Sequence, residues 1–122
     1  MNRKTILDAM YPECPVRNIL GRLMDKWSLL VLYNMEQYSG PMRFSALQKA
    51  IPDISQKMLA TTLISLTDDG IISRKAYAEV PVRVEYALTD RGLALLTHLD
   101  VLLNWAIENF ADIVTDRTIA KQ

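Results

Sequence analysis

A mainly α-helical fold with one two-stranded β-hairpin is predicted for this 122-residue sequence by three observations. Apolar residues recur at helical spacing in five stretches. One stretch, Val82 to Leu88, alternates instead with period two. The five prolines fall between periodic segments, where they act as punctuation.

The elements follow in order. After Cys14-Pro15, the segment Val16 to Met24 carries Ile19, Leu20 and Leu23 at helical spacing, and Pro15 suits a first turn. From Lys26 to Tyr38 the apolar residues Trp27, Leu29, Leu30, Val31, Leu32, Tyr33 and Met35 surround most of a helix, the pattern of a helix covered on several sides. Gly40-Pro41 closes it. Arg43 to Ile51 forms a short helix stopped by Pro52, which has no N–H to continue one. Asp53-Ile54-Ser55 offers cap residues for a further helix, Gln56 to Asp69, which ends at Gly70, a residue suited to the left-handed closing position. A turn of about four residues separates the two, as in a helix-turn-helix spanning residues 43–69.

Ile71 to Tyr77 and Val82 to Leu88 read as strands joined through Ala78-Glu79-Val80-Pro81, a hairpin over residues 71–88. Thr89-Asp90 then caps a long helix, residues 90–110, ending at about Phe110. Its apolar residues, among them Leu93, Leu99, Leu102, Trp105 and Phe110, spread beyond one stripe and exceed what a chain this size covers alone. This order is that of a winged helix-turn-helix, with the hairpin as wing and flanking helices for dimerisation. Residues 1–122 read as one domain.

Composition bounds the function. Lys+Arg 14 against Asp+Glu 14 gives no net charge, so attraction to phosphate has to come from placement. From Arg43 to Arg91 there are seven basic and six acidic residues, with the acids read as lying at helix ends away from the contact faces. The opening residues lack the apolar run of a signal peptide, and no stretch approaches membrane-spanning length, so a cytoplasmic protein without membrane attachment is expected. One cysteine excludes an intrachain disulfide, and the lone His98 has no partner at metal-ligand spacing. No phosphate-cradling glycine motif and no nucleophile–base arrangement is present, so neither an enzyme nor a cofactor or metal is expected.

The helix from Gln56 carries the functional expectation. At 100° per residue Leu59, Leu63 and Leu66 cluster on one side, while Lys57, Thr61 and Ser65 point the other way. Short polar side chains and an amino-terminal lysine suit a major groove. Arg74, Lys75 and Arg83 are placed near the exposed end of the wing. The same face would also serve a protein-interaction module, because this fold does not by itself imply DNA.

Cys14-Pro15-Val16-Arg17, Lys26-Trp27-Ser28-Leu29-Leu30, Met42-Arg43-Phe44-Ser45, Ile54-Ser55-Gln56-Lys57-Met58-Leu59, Val80-Pro81-Val82-Arg83-Val84-Glu85-Tyr86 and Leu88-Thr89-Asp90-Arg91-Gly92 together resemble the HxlR family of bacterial transcription regulators, over about residues 14–105. The resemblance implies a MarR-like homodimer on double-stranded DNA, often answering to electrophiles, oxidants or aldehydes. It implies DNA contacts at Ser55, Gln56, Lys57 and Thr61, with backbone or wing contacts at Arg43 and Arg83, and makes Cys14 a candidate redox sensor. Members often carry a glycine pair where this chain has Met24-Asp25, an acidic residue at Ala46 and a basic one at Ile64.

Overall fold

A computed structural model describes residues 2–7 and 13–122; Pro12, one of the punctuating prolines, lies outside the described residues. The elements are α1 (Arg3–Leu7), a π-helical turn (Val16–Leu20) running into α2 (Gly21–Leu23), α3 (Lys26–Tyr38), α4 (Phe44–Ala50), α5 (Gln56–Asp68), β1 (Ile72–Tyr77), β2 (Arg83–Leu88) and α6 (Asp90–Ala120). The strands form one antiparallel hairpin running from Ile72↔Leu88 to Tyr77↔Arg83. Met42 and Tyr86 exchange both backbone hydrogen bonds at 2.8 Å, which fastens the entry to α4 onto the wing.

The core is the apolar side of the helix-turn-helix. Leu32 of α3, Leu47 of α4, and Leu59, Leu63 and Leu66 of α5 are almost wholly enclosed together with Ile72. Each such side chain contributes about 1.5–3 kcal/mol relative to exposure. α3 has the predicted bounds and is packed on several sides; Asp25 caps it by accepting from the Ser28 N–H at 2.9 Å. Its left-handed closing residue is Ser39, with φ 60°, one position ahead of the expected Gly40-Pro41.

Three elements depart from their predicted forms. Residues 16–20 wind as a π-helix: the Gly21 N–H donates to the Val16 carbonyl five residues back, and a Cβ at Gly21 would stand 3.1 Å from that oxygen. Apolar spacing does not distinguish this winding from an α-helix. β2 is half-buried along its whole length instead of alternating, because polar side chains of the wing cover its second face. α6 runs ten residues past Phe110, since no glycine or proline interrupts residues 111–120.

Tyr33 joins α3 to α6 by donating its hydroxyl to Asp100 Oδ1 at 2.7 Å. Burial first, and the hydrogen bond with Asp100 second, push the phenol up from 10.0 to about 12. A raised folded pKa means that this contribution to stability is complete below pH 10 and lost as pH climbs through 12. In a tyrosinate absorbance titration the latest-ionising phase should vanish in Tyr33→Phe; an unchanged curve would contradict the assignment.

Candidate nucleic-acid interface

Two N-caps hold α5 and its surroundings in place. Ser55 Oγ accepts from the Met58 N–H at 3.0 Å and satisfies one of the orphan donors of the first turn. At the other end Gly70 adopts φ 69°, and the Arg91 guanidinium donates to the Asp69 carbonyl at 3.0 Å. Thr89 caps α6 by accepting from the Gly92 N–H at 3.1 Å, and its hydroxyl lies 2.6 Å and 3.0 Å from the Gly70 and Ile71 carbonyls. The end of α5, the start of β1 and the start of α6 therefore meet at one joint.

With its leucines buried, α5 presents Gln56, Lys57, Ala60, Thr61, Ile64 and Asp68 to solvent. Ser65, read as part of this face, is half-buried, and its hydroxyl accepts from Arg22 Nη2 at 3.3 Å. Arg22 also pairs with Asp69 at 2.8 Å, which ties α2 to the carboxy end of α5. No local pattern signals this tie, because its partners lie 47 residues apart. Arg43 is exposed at the N-cap of α4 and makes no side-chain cap bond.

The basic residues of the wing do not act as one group. Successive strand residues face opposite sides, so Arg74 lies on the Ile72 and Tyr86 side while Lys75 lies with Tyr77, Arg83 and Glu85. Arg74 is exposed and lines a shallow depression with Leu63, Ile64, Thr67, Asp68 and Tyr86, beside α5. Arg83 is held at 3.2 Å from Glu79 and 3.3 Å from Glu85, and its guanidinium lies 3.8 Å from the Tyr77 ring centroid. Lys75 Nζ lies 4.9 Å from the same centroid, and the Tyr77 hydroxyl donates to Glu85 at 3.3 Å. Arg83 thus braces the wing with its charge offset by two carboxylates. Most of the acids lie at helix ends, but Asp68, the last residue of α5, is exposed beside Ile64, and Glu79 and Glu85 lie in the wing itself.

Cys14 is fully buried, and its thiol donates to the Ile6 carbonyl of α1 at 3.1 Å. Among the described residues no group of three or more His, Cys, Asp or Glu is arranged to hold a metal ion. Among the described residues no helix is long and apolar enough to cross a membrane. Between α3 and α6 lies an open depression lined in part by Tyr33, Glu36, Leu96 and Asp100.

The family model for an HxlR-like helix-turn-helix matches residues 22–113. The chain belongs to this HxlR-like family of transcription regulators. One HxlR-type relative, an uncharacterised HTH-type transcriptional regulator of Methanothermobacter thermautotrophicus, is 41% identical over 92 residues, 75% of this chain and 69% of that one. Among solved structures, a protein named as the transcriptional regulator YtfH of Salmonella typhimurium superposes with a TM-score of 0.75 at 32% identity, covering 91% of this chain and 97% of that one. The redox regulator HypR in its oxidised form superposes with a TM-score of 0.67 at 35% identity, covering 79% and 97%. The winged-helix architecture is common to this HxlR-type chain and its structural neighbours, which are named as regulators.

Proposed function

We propose that the chain binds duplex DNA sequence-specifically as a homodimer on a pseudo-palindromic operator, and that oxidants or electrophiles modulate the binding. The carrying observation is the exposed pair Lys57 and Thr61, with Gln56 exposed in the first turn, on a helix whose leucines are locked into the core. Gln56 has the geometry to pair with adenine, Lys57 with guanine or a phosphate, and Thr61 with either. Ser55 directs the first turn, and Arg43 and Arg74 flank the helix as phosphate contacts. Lys75 and Arg83 hold the wing tip that would rest on the backbone. Surplus apolar surface on α6 and on residues 16–20 supports the dimer: Leu102, Trp105, Phe110 and Ile19 all stand exposed in the isolated chain. Two recognition helices would then meet half-sites about 34 Å apart.

Fluorescence anisotropy against a duplex selected by the protein tests this. Lys57→Ala and Gln56→Ala are each expected to weaken binding about tenfold. Only the lysine change should also flatten the salt dependence, by about 2 in slope for a dimer. Binding indifferent to salt and to both substitutions would point to a protein-interaction module instead.

Cys14 supplies the sensing arm of the proposal, in keeping with a structural neighbour described as a redox regulator. With its sulfur enclosed, a reagent gains access only when α1 lifts away. An α,β-unsaturated aldehyde would then take the sulfur at its β-carbon and the thiol proton at its α-carbon. Removing residues 1–7 should speed alkylation of Cys14 by iodoacetamide about tenfold or more, by releasing the local closure. An intact protein that already reacts at the rate of a free thiol would sink this gating. Operator affinity that ignores the aldehyde would sink the sensor.

A further inference from the structure

Resting on the DNA-binding reading above, we infer that Ile64 reads the 5-methyl group of a thymine, and so sets operator sequence at a position where α5 carries no hydrogen-bonding side chain. Ile64 is 63% exposed, although it sits one residue from the wholly buried core position Leu63. It lies on the same exposed ridge as Lys57 and Thr61, spaced seven and three residues from them. Seven residues of helix span about 10.5 Å, within the roughly 12 Å width of a major groove, so Lys57 and Ile64 fit into one groove together. Asp68, one turn further, falls outside that span.

The chemistry of the side chain fits one base. Thymine alone among the four bases presents a methyl group in the major groove, and apolar contact is the way proteins read it. A β-branched side chain in a helix holds essentially one rotamer, so seating Ile64 against a methyl costs little entropy. Arg74 shares the depression beside Ile64 and is the phosphate contact that would hold the backbone at that step.

The experiment begins with the full-length protein and a random-sequence duplex pool. In the sequence it enriches, thymines are replaced one at a time by deoxyuridine, which removes only the methyl. One position in each half-site should lose about fourfold in affinity, the worth of one buried methyl. That loss should disappear in Ile64→Ala, which binds thymine and uracil forms alike, while other positions respond as before. Ile64→Lys should also lose the discrimination and should steepen the salt dependence by about 1 per half-site. Uracil sensitivity that is absent, or that persists unchanged in both variants, overturns the assignment to Ile64. A pool with no enriched sequence overturns the DNA-binding reading itself, and with it this one.

Discussion

Gly92→Ala is expected to lower the unfolding free energy by about 2 kcal/mol or more, a large share of a marginal total. A Cβ at position 92 would collide with the Ile71 carbonyl oxygen and stand 3.2 Å from Leu88 Cδ2. That oxygen cannot swing aside cheaply, because it already accepts from the Thr89 N–H at 3.2 Å and lies 3.0 Å from the Thr89 hydroxyl. Better helix propensity returns at most about 1 kcal/mol. Ala94→Gly, at an exposed site of the same helix, should cost about 1 kcal/mol and serves as the reference. Urea midpoints for the three proteins decide the matter: equal stability of wild type and Gly92→Ala would show that the close approach is easily relieved.

The second large effect concerns assembly. Trp105 is 56% exposed on α6, and Phe110, five residues on, is 67% exposed. In the proposed dimer these residues lie at the apolar centre, so Trp105→Glu would bury a carboxylate without a partner, twice by symmetry. Sedimentation should report a monomer with unaltered circular dichroism, since Trp105 lies outside the buried core of its own chain. Operator affinity should fall by about a hundredfold or more, because two half-sites would no longer be engaged through one effective concentration. A Trp105→Glu protein that still sediments as a dimer, or still binds tightly, would place the interface elsewhere.

Local rules made most of the architecture legible before any coordinates. The bounds of α3, the Ser55 and Thr89 caps, the Gly70 closure and the existence of the hairpin each follow from a few neighbouring residues. What escaped depends on distance or on hydrogen-bond winding. A π-turn and an α-turn share the same apolar spacing, so residues 16–20 could not be told apart. The dense apolar pattern of α6 ends at Phe110, whereas helix-forming residues continue to Ala120, so apolar periodicity does not mark its end. At the site, the exposed face of α5 was readable from its wheel, except that Ser65 is drawn inward by Arg22. The wing basics were grouped by proximity in sequence, whereas strand pleat separates Arg74 from Lys75, and Glu79 and Glu85 occupy Arg83.

The joint at Thr89 couples the end of α5 to the start of α6 through the carbonyls of Asp69, Gly70 and Ile71. From Trp105 back to Asp90 is fifteen residues, about 22 Å of helix, so a rotation of only about 5° at the proposed interface displaces the recognition helix by about 2 Å. Arg91 on the Asp69 carbonyl and Thr89 on the Gly70 carbonyl would pass that displacement to the end of α5. In the proposed dimer the tolerance with which two half-sites are matched would therefore be governed by packing far from the nucleic acid. Substitutions remote from any base can retune operator spacing while leaving every contacting side chain untouched.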